Sequence, residues 1–408
     1  MHRHLRIQCE QARSEMLLPR LRTIPEKVPR SLERCHTIAD LRERAKRALP
    51  RPIFDFLDGG AETEVTAIRN TSAFDDIQLI PRCLSDISSI RTTTRVLGQQ
   101  IEWPVLCAPT GASRLFHTEG EVAVARAAAA AGILYFLSVS STVSLERVAA
   151  ASPGPKVFQL YVRDRDLMWE LIDRCKRADY CALCITVDAP VVGKRERDLR
   201  SGFGIRPKWS LRSRLSFVRH PLWVAQRMGG GAVSLSHQIE RPSTAGQSAK
   251  RQAYPPLSWR EIRDIADFWR GPLALKGLMC ADDARRAADS GVSAVMVSNH
   301  GGRQLDGAAS SIEVLSEIAK AVSDRVEVIL DGGIRRGVHV LKALSLGARA
   351  CSIGRPYLYG LSAGGAAGVS KALDILRTEL MLAMQLSGCT DVTSVDATFI
   401  RQFGHGRY

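Results

Sequence analysis

Long unbroken apolar runs are missing from this 408-residue chain. The most apolar stretch, VAVARAAAAAGILYFLSVS, is interrupted by Arg126 and Gly132. It therefore reads as an alanine-rich helix entering a buried strand, not as a membrane span. The opening MHRHLRIQCEQARSEMLL is basic but has no apolar centre, which argues against a secretory signal. No GxGxxG follows an early strand, which weakens an open, doubly wound sheet. The CxxCH pattern of haem attachment is also absent, and no metal centre is expected. Acid is the scarce charge: 42 Asp and Glu against 57 Lys and Arg leave a net charge of +15. Between Gly202 and Leu257, Glu240 is the only acid. This balance admits an anionic partner, either nucleic acid or a membrane surface. The ten cysteines lie mostly in apolar segments, as reduced thiols in the cytoplasm would. Cys181 and Cys184 have CxxC spacing, but strand residues three apart face opposite sides, so they read as buried filler.

From residue 104 onward, short apolar runs alternate with helical patterns. The runs are PVLCAP, ILYFLSV, KVFQLYV, CALCITVD, PLALKG, SAVMVSN, VEVILDGG and RACSIGR. Between them lie EGEVAVARAAAAA, DLMWELIDRCKRA, CADDARRAADS, SIEVLSEIAKAV and GVHVLKALSLG. Continuous apolar strands separated by helices indicate a parallel sheet covered on both faces. Eight repeats over roughly 250 residues predict an α/β fold, a closed (β/α)8 TIM barrel. An insertion at about 189–271, after strand four, breaks the rhythm. A helical lead-in precedes the barrel, with Thr37 or Asp40 capping its first helix and Gly59-Gly60 stopping its second. The expected organisation is a basic extension at 1–36 followed by one barrel domain at 37–408.

Active sites of such barrels lie at the carboxyl ends of the strands. Thr110, Ser138, Gln159, Tyr161, Thr186, Asp188, Lys276, His300, Arg303, Asp331 and Arg355 fall there. In SNHGGRQLDG, a ring that titrates near neutrality adjoins a permanently charged fork suited to a carboxylate or phosphate. Gly301 and Gly302 leave room between them. In DGGIRRG and SIGRP, backbone amides and glycines sit beside Arg335, Arg336 and Arg355 after strands seven and eight, where barrels often hold phosphate. Lys276 could supply charge to a cofactor or, as in aldolases, form a Schiff base.

The motifs VSNHGGRQLDGA, DGGIRRG, SIGRP, FQLYV, TVDAPVVGKRERDLR and FDFLDGGAETE occur in one order across nearly the whole chain. Together they resemble the FMN-dependent L-2-hydroxy acid oxidoreductases, which include glycolate oxidase, L-lactate dehydrogenase and oxidase, and mandelate dehydrogenase. The resemblance implies that His300 takes the hydroxyl proton while hydride passes from the α-carbon to flavin N5. It implies that Asp188 supports the imidazolium, that Arg303 and Arg195 hold the substrate carboxylate, and that Tyr161 hydrogen-bonds the substrate. Thr110, Gly111, Ser138, Gln159, Thr186, Lys276, Ser298 and Asp331 would lie along the flavin. Gly333, Arg335, Gly354 and Arg355 would take its phosphate. One position departs from the pattern: Phe56 stands where the family usually has a tyrosine that helps bind the carboxylate, which points to a bulkier or more apolar acid. Gly111 leans towards the dehydrogenase members.

The insertion interleaves arginine with Trp, Phe and Leu in FGIRPKWSLRSRLSFVRHPLWVAQRM, and resembles the same region of membrane-associated mandelate and lactate dehydrogenases. It is expected either to lie on an anionic bilayer or to cover the active site as a solvated loop. SLSHQIERPSTAGQSAKRQ reads as disordered or lid-like. The expected function is a quinone-linked dehydrogenase of the L-lactate or mandelate type, cytoplasmic or seated peripherally on the inner face of the cytoplasmic membrane and, by the resemblance, tetrameric. Two alternatives stand beside it: an oxygen-using oxidase that releases hydrogen peroxide, and a basic nucleic-acid-binding barrel without catalysis.

Overall fold

The computed structural model describes residues 30–162, 164–204, 207–229, 234–237 and 257–402. The eight expected strands form and close into a parallel barrel. In chain order they are β1 (Val105–Cys107), β2 (Tyr135–Ser138), β3 (Lys156–Leu160), β4 (Ala182–Thr186), β5 (Leu273–Leu278), β6 (Ala294–Val297), β7 (Glu327–Asp331) and β8 (Ala350–Ile353). Cys351 of β8 pairs with Val105 of β1 and completes the ring. The strands are apolar throughout because both sides are buried, and alternate residues enter different cores. Leu137, Phe158, Leu183 and Val295 face the surrounding helices. Phe136, Val157, Cys184 and Met296 fill the interior. Cys184 meets the Met296 sulfur while Cys181 donates to the Lys156 carbonyl, so the two thiols do diverge.

Two short antiparallel strands, Thr94–Val96 and Gln99–Ile101, seal the amino-terminal end of the barrel. Val96, Leu97 and Ile101 join the interior layer, and the Leu97 N–H donates to Glu327 Oε2 at 2.8 Å. The opposite end stays open. Helices form at Gly120–Ala130, Arg165–Arg177, Ala281–Ala288, Ser311–Val322 and Gly337–Ser345, where the pattern places them. Leu145–Ala151, after β2, is too short to show a period. The last helical stretch, Arg355–Ser387, bends at Gly364 and Gly365.

The lead-in contains α1 (Ile38–Ala48) and α2 (Arg51–Asp58). Thr37 and Asp40 both cap α1: each side chain accepts the other's backbone N–H. Helix α2 stops at Gly59. A Cβ on Gly60 would stand 2.9 Å from the Gly302 carbonyl oxygen, so glycine is what lets the lead-in reach the barrel mouth. Residues 189–271 carry α3 (Glu196–Ser201), α4 (Leu211–Val218), α5 (Pro221–Gly229) and α6 (Trp259–Trp269). Helix α6 has a Ser258–Glu261 capping box and buries Ile262, Ile265 and Trp269, as a barrel helix does. Most of the basic extension at 1–36 lies outside the described residues. So does most of the segment read as lid-like, of which only 234–237 is described. That short piece is anchored: His237 is buried, its Nε2 accepting the Leu145 N–H at 2.9 Å and its Nδ1 lying 3.2 Å from Ser141 Oγ.

Candidate active site

The polar layer begins two residues beyond the apolar interior, on the same inward faces. Ser138, after Phe136, donates to Gln159 Oε1 at 2.8 Å, and Gln159, after Val157, donates to Thr186 Oγ1 at 3.0 Å. Across the mouth, Lys276 donates to Ser298 Oγ at 2.9 Å and to Asp331 Oδ2 at 2.7 Å. Burial works against the charge on Lys276, but Asp331 and Asp188 outweigh it and raise the ammonium's pKa above its ordinary value. Engaged by Asp331 and Ser298, the Lys276 amine is placed to offer charge and not a Schiff base, against the aldolase-like reading. Thr110 Oγ1 lies 2.6 Å from the Tyr357 hydroxyl at the same rim. A Cβ on Gly111 would approach the Ser140 Cβ to 2.9 Å.

After β6 the chain turns sharply. His300, Gly301 and Gly302 adopt φ of 59°, 65° and 71°, three successive left-handed residues. The conformation is unfavourable for a histidine and is held by its surroundings. His300 Nδ1 sits 2.8 Å from Asp188 Oδ1, and its Nε2 lies 3.3 Å from the Tyr161 hydroxyl. Burial tends to raise the Asp188 pKa, but His300 and Lys276 prevail and hold it below the usual carboxylate value. The Asp188 carboxylate thus sits on the Nδ1 side of the ring, leaving Nε2 to face the cavity.

Arg195, Arg303, Arg335 and Arg355 line that cavity together. Loss of surrounding water, then Arg195 and Arg355, pull Arg303 well below the ordinary guanidinium range; Asp198 offsets this only in part. Burial likewise lowers Arg195 and Arg335. The Nε atoms of Arg195 and Arg355 are buried without a partner. Crowded guanidinium groups with unused donors are configured for anions. Arg336 is not among them: it is half-exposed and pairs with Glu379 at 3.3 Å.

The structure also brings in residues that motif reading passed over. The Gly59 carbonyl accepts from Arg303 at 2.7 Å and from Arg355 at 2.8 Å, so a single lead-in oxygen spans both cationic positions. Beside it, the Asp58 carboxylate accepts from Arg42 twice at 2.7 Å, from the Tyr359 hydroxyl at 2.7 Å and from Arg197 at 3.0 Å. A backbone carbonyl leaves no trace in sequence, and Asp58 reads there as an ordinary helix end.

Phe56 faces the cavity with the Arg303 guanidinium carbon 5.3 Å from its ring centre. Its ring lies 4.5 Å from Phe203 and 6.2 Å from Phe116. Trp209, Phe217 and Trp223 of the insertion extend the same wall. The whole cavity encloses about 1610 Å³, above the ~300–1,000 Å³ usual for one small-molecule site. It has room for a cofactor and a substrate together.

A family model described as FMN-dependent dehydrogenase matches residues 45–402. An L-lactate oxidase of Nostoc sp. is 43% identical over 366 residues, spanning 87% of this chain and 95% of the relative. A putative L-lactate dehydrogenase of Mycobacterium tuberculosis is 41% identical over 368 residues, spanning 90% of this chain and 89% of the relative. Among solved structures, a monotopic membrane protein, (S)-mandelate dehydrogenase, is similar with a TM-score of 0.86 and 34% identity, covering 91% of this chain and 100% of that one.

Proposed function

The chain belongs to the FMN-dependent dehydrogenase family, and from that premise we propose how its own residues oxidise a 2-hydroxy acid to the 2-oxo acid. The residues fit the cofactor: a large cavity offers unpartnered guanidinium donors at one end and a charged lysine at its base. Arg335 and Arg355, with Gly333 and Gly354, would hold the phosphate; Ser138, Gln159, Thr186, Thr110 and Gly111 would border the ring, and Lys276, fixed by Ser298 and Asp331, would offer it positive charge. When bound, FMN supplies the two-electron acceptor.

Arg303 and Arg195 bind the substrate carboxylate as a planar, two-point contact. That orients the α-hydroxyl between His300 Nε2 and the Tyr161 hydroxyl. His300 takes the hydroxyl proton as general base, and the Asp188 carboxylate stabilises the imidazolium that results. The observation that carries this reading is the 2.8 Å Asp188–His300 contact beside uncompensated arginines. The family assignment replaces the non-catalytic nucleic-acid reading.

We further propose a quinone as electron acceptor and a peripheral membrane seat. Leu211, Leu215 and Val218 recur along one face of α4, and Leu222 follows on α5; all four are exposed, at 82, 50, 75 and 79%. Arg212, Arg214 and Arg219 flank them. This combination suits an anionic bilayer. Among the described residues no helix is long and apolar enough to cross a membrane. A homotetramer is the proposed assembly, by the family resemblance. The test is anaerobic bleaching of the yellow enzyme by L-2-hydroxy acids, followed by reoxidation with either a quinone analogue or oxygen. Stoichiometric hydrogen peroxide at the full turnover rate would replace the dehydrogenase reading with an oxidase. Enzyme wholly soluble after low-salt lysis would remove the membrane seat.

A further inference from the structure

We propose that the insertion builds a subsite for the substrate's substituent, and that the preferred substrates are L-2-hydroxy acids with an extended apolar chain. The inference rests on the reading of Arg195, Arg303 and His300 given above, and goes on to the part of the molecule they leave open.

The rings of the insertion form a connected series. Phe56 meets Phe203 at 4.5 Å, Phe203 meets Trp209 at 6.1 Å, Trp209 meets Phe217 at 4.9 Å, and Phe217 meets Trp223 at 5.5 Å. A hydrophobic core would close these rings away. Here Phe203, Trp209, Phe217 and Trp223 are only half-buried and border the active-site cavity. Two contacts pin the far end: Trp223 donates to the Leu115 carbonyl at 3.0 Å, and Arg227 donates to the Arg114 carbonyl. The described part of the insertion is therefore held against the barrel as an apolar extension of the site.

Its near end determines the occupant. The first ring, Phe56, lies under Arg303. A molecule that enters the lobe while bound to the arginines must carry an anion at one end and an apolar chain at the other. A quinone has no anionic group to offer Arg195 and Arg303. A methyl substituent, as in lactate, would leave the lobe unfilled. Phe56 itself fits the scheme, because a phenol hydroxyl there would place a polar group at the lobe's entrance.

The test compares L-2-hydroxyoctanoate with L-lactate in anaerobic stopped-flow reduction of the FMN-loaded enzyme, a half-reaction that involves no acceptor. Each methylene buried in the lobe is worth about fourfold, the equivalent of ~0.8 kcal/mol. The octanoate is therefore expected to exceed lactate about tenfold or more in the ratio of limiting rate to dissociation constant. Trp209→Ala and Phe217→Ala should collapse that preference. The milder Phe217→Leu guards against misfolding, with flavin content and circular dichroism as controls. Equal reduction by both acids in the unaltered enzyme, or a preference that survives all the substitutions, overturns the proposal. So does an effect confined to reoxidation by a quinone analogue, which would give the lobe to the acceptor. Absence of bleaching by every acid would strike the oxidation reading itself.

Discussion

Phe56→Tyr adds a hydroxyl at the cavity wall beside the arginines proposed to bind the substrate carboxylate. The ring faces the cavity, packed between Phe203 and Phe116 with Arg303 5.3 Å from its centre. Tyrosine preserves the ring and its attraction to the guanidinium, about 0.5–1 kcal/mol at such a site. The new hydroxyl can donate to a carboxylate held by Arg303 and Arg195. A hydrogen bond of this kind is worth about 0.5–1.5 kcal/mol, or roughly two- to tenfold in affinity. For glycolate and lactate, the dissociation constant read by anaerobic flavin reduction should fall by that factor. A long-chain acid presents the same carboxylate, but its chain must also pass the new hydroxyl at the apolar entrance, so its gain should be smaller and the ratio between small and large acids is the sensitive readout. Unchanged affinity for glycolate and lactate, with normal flavin content, would refute the placement of Phe56 beside the carboxylate.

Asp188→Asn keeps the shape of its side chain but removes the charge behind His300. A charge-assisted hydrogen bond of about 1.5–3 kcal/mol predicts a ten- to hundredfold slower flavin reduction with little change in substrate affinity; a large change in affinity alone would contradict the role given to it. Lys276→Met removes the cation proposed to serve the cofactor and leaves Asp331 buried without its ammonium partner, so FMN should bind more weakly and its potential should become more negative by tens of millivolts, about 30 mV for each 1.4 kcal/mol. Spectroelectrochemical titration checks the sign. His237 is held down to about 4 by burial and then by Arg174, against an ordinary value of 6.5. The unfolded state therefore binds more protons between those values, so stability is unaffected above pH 6.5 and falls by an amount on the order of 3 kcal/mol as pH drops towards 4. Proteolysis of the insertion should accelerate across that window, and His237→Gln should flatten the dependence.

The barrel was legible because its strands are buried on both faces. Runs such as CALCITVD and VEVILDGG are apolar without alternation, and the two cores divide them residue by residue. The polar ring was legible for a related reason: Ser138, Gln159, Thr186, Lys276 and Asp331 each follow an inward apolar residue by two positions, which fixes them at the open end. What stayed hidden was anything carried by backbone or by distant segments. Arg335 and Arg336 are adjacent and chemically alike, yet one lines the cavity and the other pairs with Glu379 outside. Only the local turn distinguishes them. The aromatic residues of the insertion were visible, but their direction was not: Phe217 and Trp223 face the cavity while Leu211 and Val218 on the same helical pair face outward. A short helix with apolar residues on two sides gives no single face to read.

The lead-in supplies what the barrel alone lacks. Arginines that bind anions must be kept near one another despite their mutual repulsion, and the cost is visible in the depressed pKa of Arg303 beside Arg195 and Arg355. Asp198, at the cavity wall, relieves that repulsion only in part. The hydrogen bonds that hold Arg303 and Arg355 from one point run to a neutral acceptor, the Gly59 carbonyl. The chain places a full negative charge one residue back, where Asp58 gathers Arg42, Arg197 and Tyr359. Arg197 lies two residues beyond Arg195, and Tyr359 four beyond Arg355, so the same corner sets the positions of α3 and the last helix. The cations that meet the ligands are thereby oriented without being neutralised, which is the electrostatic condition for strong anion binding at the mouth of the barrel.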